Sequence, residues 1–549
     1  ADDEDAGIIL PTNLITLHGL ERTDVIVPES ALALTATPEA QVLLDLFDGV
    51  SSDVGSRENH SSSDRVVSRR SSLVPSTIMS DSEEIESSVV ERTLHWWHLV
   101  PLIYFWTCGG PFGFEPSVQS AGPLASLVGL VGIAILWAIP QCCMSAELSL
   151  AIDDNGGQFR WPLRAFGVVG SWMNAWNLLC SNFVSAGLLI TLVVEYLPYK
   201  FEYWQASLFK FGLAMIAVLI NMGGARIIAK LNLISAPLIM LVFIIMAIIA
   251  AVENKFDNFS WNRLIDDHPR PFFKETNWGL YFSTLVWSFG GFDSLGSVAG
   301  EVVGGARSLG VAFSLSVPII VSNYALPVLI SYAILPDMNQ WHDGSFSEIA
   351  KQVSPILGYA MVVAAVISNL AQFVAAIVPN ARIIWAVARE RGKRQLMPKC
   401  FSWSIKVRGV VVPLMGVIAT AYLSAVASLL PFDISVQVYL VFRLVNLLFE
   451  FGAFVVLRFT EPNLERPFKV PGGLPTALLI CLPVIGVVVM AGFTLDSTSL
   501  VVALFAELCF VIFFVFRLIA QRLRIRFWRP ATMNRKKRKK RDKDKKMPT

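Results

Sequence analysis

The chain has 549 residues, 16% of them charged and 54% hydrophobic, with 36 Phe and 15 Trp. An ordinary soluble domain carries roughly 25% charged residues, so this composition excludes a water-soluble globule, a fibrous repeat and a disulfide scaffold, and points to a membrane protein. The net charge of +2 hides a segregation: residues 1–92 hold 18 Asp and Glu against 6 Lys and Arg, whereas ten of the twelve residues 535–546 are basic.

Residues 1–92 are rich in Ser, Asp and Glu (SSDVGSRENHSSSD, MSDSEEIESS) and cannot bury enough apolar surface to fold alone. They read as a disordered acidic cytosolic tail, with a short docking helix at Ala40–Phe47 and a phosphorylation site in SRRSS at 68–72. The chain opens on ADDEDAG without a charged-then-apolar leader, so the first membrane helix is expected to direct insertion. A transporter domain is expected over 93–525 and a basic cytosolic tail over 526–549. The polybasic run follows an apolar helix, which favours anionic lipid over nucleic acid as its partner.

About 20 apolar residues span the hydrocarbon core. From Leu94 onward the sequence predicts twelve such helices, at about 97–119, 123–150, 166–197, 205–222, 226–252, 278–302, 309–335, 355–388, 410–430, 434–458, 473–492 and 498–520. With the N-terminus inside, the predicted inner loops hold 15 Lys and Arg, and the outer loops hold 7, Lys210 among them. That bias predicts both termini in the cytoplasm of a multi-pass protein, most simply at the plasma membrane. Asn258 begins a glycosylation acceptor on the predicted outside; Asn59 begins another in the cytosolic tail. The 7 Cys lie mostly in apolar runs, and none falls in a predicted outer segment. No disulfide framework is implied, and no disulfide-linked heavy chain is expected. No phosphate loop, metal-spaced His/Cys cluster or nucleophile motif is evident, so neither an enzyme, a cofactor nor a metal is expected.

Two predicted helices are interrupted. The first reads IYFWTCGGPFGFEPSV and the sixth LVWSFGGFDSLGSVAGEV. Glycine and proline in a spanning helix free backbone groups that lipid cannot satisfy, which is tolerated around a cavity. Paired interruptions at corresponding places in two halves point to the binding site of an inverted-repeat transporter; close packing through small residues is the plainer alternative. Ionisable groups at membrane depth add to the signal. Glu115 follows the first break and Asp293 the second, where each could instead cap a half-helix. Glu450 lies mid-helix with Arg443 seven residues earlier on the same face, so an ion pair between them is one expectation and proton carriage another. Glu301 and Glu147 lie near inner helix ends.

The motifs GGPFGFEPSVQSAGPL, AELSLAIDDNGGQFRW, SFGGFDSLGSVAGE, ARERGKRQLMPK and ERPFKVP resemble the amino acid–polyamine–organocation permeases over about residues 95–520. Within them the chain resembles the polyamine-uptake branch of plants and protists, close to the L-type amino acid permeases. The resemblance implies an all-α, LeuT-like fold with repeats over about 97–252 and 278–458 and two further helices over about 473–520. It implies a substrate site at Gly109, Gly110, Gly113, Trp287, Phe289, Gly290 and Gly291, and it makes the segment around Glu147, Asn155, Gly156 and Gly157 a structural and gating signature. Phe112, Glu115, Phe292 and Asp293 join the candidate site on their own chemistry. Amino acid permeases of this type usually read Gly-Ser-Gly-Ile-Phe at the first break, with backbone N–H groups for a carboxylate. Here Pro111 has no N–H to donate and Glu115 adds negative charge. A substrate carrying ammonium groups without a carboxylate would instead find charge partners and aromatic faces.

The expected function is therefore polyamine import coupled to protons. The proton-coupling candidates are Glu450, Asp293, Glu301 and Arg443. A cationic or neutral amino acid permease is the alternative, and a non-transporting nutrient receptor a more distant one.

Overall fold

The computed structural model describes residue 92 and residues 94–152, 156–256, 259–390, 397–407 and 410–522. The expected tail helix, SRRSS, both glycosylation acceptors, Asn155 and the polybasic run lie outside these residues.

The α-helices in chain order are α1 (Trp96–Thr107), α2 (Glu115–Ala121), α3 (Pro123–Ile133), α4 (Ile139–Ala151), α5 (Gly157–Tyr196), α6 (Tyr203–Asn221), α7 (Ala225–Val252), α8 (Trp261–Asp266), α9 (Phe272–Glu275), α10 (Trp278–Ser288), α11 (Gly305–Ile334), α12 (Ser345–Val353), α13 (Pro355–Arg389), α14 (Leu414–Ala427), α15 (Phe432–Thr460), α16 (Gly473–Thr494) and α17 (Ser497–Arg522). A π-helical stretch, Ala134–Ala138, joins α3 to α4, and a 3-10 segment, Phe292–Glu301, follows α10. A small antiparallel hairpin, β1 (Ile405–Val407) with β2 (Val410–Val412), departs from the all-helical expectation.

Among the described residues, nine helical stretches are long and apolar enough to cross a membrane. α14 is apolar but shorter, and α1/α2 and α10 with its 3-10 segment are two interrupted helices. Helices dominate because lipid offers no partner to backbone polar groups, so each segment must satisfy its own. The faces turned outward are apolar too: Leu504 and Phe505 on α17 are each 67% exposed. In water such a surface would aggregate; against acyl chains it has no such cost.

Burial ranks the helices. Of the most apolar stretch of α5, 72% is buried, of α15 61% and of α13 56%, against 17% for α6, α16 and α17. α5 packs along both α15 and α13, forming the inner scaffold. Its 40-residue length is broken at Gly167, where φ is +71°. Residues 157–166 are thus a separate arm, and the membrane-crossing part begins where the sequence predicts it. The strand-like segment before α1 pairs with the end of the 3-10 segment: Leu94 N–H donates to Glu301 O and Val303 N–H to Leu94 O, both at 2.9 Å. The two interrupted helices are therefore tied together at one end. Lys210, assigned above to an outer loop, lies instead within α6; it is buried, and its Nζ donates to the Ser428 carbonyl. Desolvation of a lysine is offset by such a bond, which local sequence cannot foretell.

Candidate functional site

The first break runs from Cys108 to Phe114. Gly109 (φ +64°) and Gly113 (φ +88°) sit in the left-handed region that side-chain-bearing residues rarely adopt. A Cβ on Gly109 would lie 2.5 Å from Gln372 Oε1, and one on Gly110 would overlap the Ser368 hydroxyl. That hydroxyl donates to Gly109 O at 3.0 Å, satisfying a carbonyl the break frees. At the second break, Gly291 has φ +126°, and a Cβ there would lie 2.9 Å from the Trp106 carbonyl carbon. Gly290 lies against the Tyr439 hydroxyl. The two breaks thus touch through backbone, which only glycine permits.

α5, α13 and α15 supply the walls. Trp287 Nε1 donates to Ser185 Oγ at 3.0 Å. Trp287 also lies near Gly113, bringing the predicted residues of both breaks together. Phe289 packs toward Tyr324 and Phe292 toward Phe313, both on α11. Beside the first break, the buried Trp106 Nε1 and Thr107 Oγ1 have no protein partner. Buried polar groups are ordinarily bonded, so a polar occupant would satisfy them.

Glu115 is fully buried. Its carboxylate accepts the Gly113 N–H at 2.7 Å and the Tyr196 hydroxyl. It therefore caps the break upstream of itself, and among the described residues no Lys or Arg forms an ion pair with it.

Asp293 behaves differently. Arg443 grips it bidentately, Nη1 to Oδ2 at 2.7 Å and Nη2 to Oδ1 at 2.8 Å. The expected ion pair between Arg443 and Glu450 does not form; the guanidinium turns to the 3-10 segment instead. Arg443 Nη1 also donates to Asn446 Oδ1 (2.8 Å), and Nη2 to Gln141 Oε1 (3.1 Å). Asn446 Nδ2 in turn donates to Glu450 Oε1 and Asn174 Oδ1, each at 2.9 Å. Glu450 Oε2 is buried without a partner. The result is a polar cluster of two carboxylates and one guanidinium, drawn from the 3-10 segment, α4, α5 and α15.

At the opposite end, Glu301 pairs with Arg382 at 2.8 Å. Glu147 receives Arg458 Nε (3.1 Å), lies 3.2 Å from Arg466 Nε, and accepts the Val470 N–H (2.8 Å). The AEL and ERPFKVP motifs thus meet in one clamp. Gly157 packs on the 3-10 segment, where an added Cβ would lie 2.6 Å from Gly296 Cα. Gly157→Ala is expected to destabilise the protein by about 1–3 kcal/mol through overpacking, seen as a lower thermal midpoint of detergent-purified protein.

Ser185, Tyr196, Ser368, Gln372, Tyr439 and Asn446 were not anticipated at this site. Their signal was present as polar residues inside apolar runs, such as Ser368 and Gln372 one helical turn apart. Nothing local says which break they face.

The sequence profile of the amino acid permease family matches residues 94–538. Polyamine transporter RMV1 of Arabidopsis thaliana is 28% identical over 420 residues, covering 75% of this chain and 82% of that protein. Polyamine transporter PUT1 of Oryza sativa subsp. japonica is 29% identical over 439 residues, covering 76% and 79%. The b(0,+)-type amino acid transporter 1 of Rattus norvegicus is 22% identical over 398 residues, covering 66% and 74%.

Proposed function

The chain belongs to the amino acid permease family, and from that premise we propose that it is a secondary active transporter importing polyamines of the putrescine and spermidine kind with protons, by alternating access. Twelve spans form a LeuT-like pair of inverted five-helix repeats followed by two helices, with both termini in the cytoplasm of a plasma-membrane protein. Substrate sits between the breaks, against Gly109, Gly110, Phe112, Gly113 and Glu115 on one side and Trp287, Phe289, Gly290, Gly291, Phe292 and Asp293 on the other.

The observation that carries the substrate class is Glu115: a buried carboxylate at the first break with no cation paired to it among the described residues. Pro111 beside it removes an N–H that a substrate carboxylate would need. An alkylammonium supplies the missing charge; a free amino acid brings a second carboxylate into repulsion. The names of the plant relatives agree with that chemistry. Glu450 takes up and releases the coupled proton, since one guanidinium already committed to Asp293 leaves it without a counter-ion. The likeness to b(0,+)-type amino acid transporters keeps an amino acid permease as the second reading.

The test is uptake of labelled putrescine, spermidine, arginine and leucine into liposomes holding purified protein, with and without a pH gradient. Accumulation of the two polyamines that depends on the gradient is expected. Uptake of arginine or leucine with none of putrescine would replace this reading by the second.

A further inference from the structure

Besides Glu115, which has hydrogen-bond donors but no counter-ion among the described residues, a second acid without a counter-ion lies near the first break. Asp343 lies in the turn between α11 and α12, and its Oδ1 is shut off from solvent and accepts no hydrogen bond. Gly344, next in the chain, adopts φ +94° and approaches so closely that a Cβ there would lie 3.2 Å from Glu195 O. At that turn the Gly344 N–H donates to the Glu115 carboxylate, and the charge of Asp343 acts on both Glu115 and Tyr196.

The surroundings are aromatic. Phe112 lies 5.0 Å from Tyr196 and 6.2 Å from Phe346, ring centre to ring centre, and Phe243 closes the group at 5.4 Å from Phe346. These rings are all buried. The acids form a graded path: Glu195 and Asp433 are exposed, Asp343 is half-buried and Glu115 is fully buried. The nearby cation, Lys210, faces Glu195 and is already bonded to Ser428 O.

Burial, with the carboxylates of Glu115, Glu195 and Asp433 facing it, holds Asp343 well above the ordinary carboxylate range. A cation entering between Asp343 and Glu115 would relieve both the desolvation and the mutual repulsion. A metal ion is the poorer fit: among the described residues no three His, Cys, Asp or Glu converge on a metal-sized site. Aromatic faces with paired carboxylates instead match a primary or secondary alkylammonium.

We propose that Asp343 joins Glu115, walled by Phe112, Tyr196 and Phe346, in one ammonium subsite that holds an end of a di- or polyamine while the rest of the chain lies along the breaks. This subsite rests on the polyamine reading above and deepens it. It makes Asp343 a substrate-binding acid: an alkylammonium seated there, whether the end of a diamine or of a monoamine, loses a charge partner when Asp343 is neutralised.

The experiment uses the full chain in proteoliposomes, with labelled putrescine as substrate and unlabelled n-butylamine as competitor. Asp343→Asn is expected to raise the putrescine KM and the inhibition constant of n-butylamine each by about tenfold, the loss of one partly screened charge pair, while kcat stays near wild type. Asp343→Ser gives the same result and serves if the Asn variant does not reach the membrane. A fall in kcat with an unchanged putrescine KM, or an unchanged inhibition constant of n-butylamine, would overturn the subsite and leave Asp343 a structural acid. Wild-type protein that transports no putrescine, and is not stabilised by it in a thermal shift, would instead bring down the polyamine reading on which the subsite stands.

Discussion

Arg443→Met is expected to abolish most of the folded, membrane-inserted protein, and adding Asp293→Asn and Glu450→Gln is expected to restore much of it. Asp293 and Glu450 are both fully buried, and Arg443 is the cation that Asp293 holds in two hydrogen bonds. Removing one partner of a buried pair costs about 3–5 kcal/mol because it strands a charge. That is a large part of a typical folding stability of about 5–15 kcal/mol. The triple variant strands no charge: Met fills the arginine stem's volume, and the two amides are neutral. Neutral replacement of a whole buried ion cluster is often close to neutral in stability. Size-exclusion profiles of detergent extracts, scored for monodisperse protein, separate the cases. A single variant as monodisperse as the triple would mean that Asp293 finds another cation and that the cluster is not held by Arg443.

Glu450→Gln is expected to keep substrate exchange and lose accumulation driven by a pH gradient. The amide keeps the shape of the side chain and can still accept the Asn446 Nδ2 hydrogen bond that Glu450 Oε1 accepts at 2.9 Å. What it loses is the ability to change charge. In the proposed cycle that change matters because Asp293, Asn446 and Arg443 connect Glu450 to the second break, so a proton gained or lost there alters the charge balance that fixes the Gly290–Gly291 backbone. Counterflow of labelled putrescine measures exchange without a gradient, and uptake under an imposed gradient measures coupling. Full gradient-driven accumulation by the Gln variant would exclude Glu450 as the carrier. Asp293 would then be next, since it shares the buried cluster with Glu450, whereas Glu301 pairs with Arg382 outside that cluster.

The membrane helices and their two interruptions were legible because their cause is local. A bilayer of fixed thickness demands runs of about 20 apolar residues, and glycine and proline mark where such a run cannot continue. The break at Gly290–Gly291 shows in the sequence of 278–302, although the second half of that span is 3-10 rather than α. The acids Glu115, Asp293 and Glu450 were legible too, since a charge in an apolar run stands out in any window.

Their partners were not legible. Helical spacing placed Arg443 and Glu450 on one face of α15, and Asn446 does bridge that face, but Arg443 chose Asp293, 150 positions away in the chain. Asp343 carries no signal of its own in the sequence, and only the turn at Gly344 sets it where the Glu115 charge acts on it. Periodicity reports which residues share a face of one helix; it carries no information on which other helix that face will meet. A buried charge is settled by whichever counter-ion or hydrogen-bond donor the packing of separate helices brings within about 3 Å, and that distance exists only once the helices have assembled.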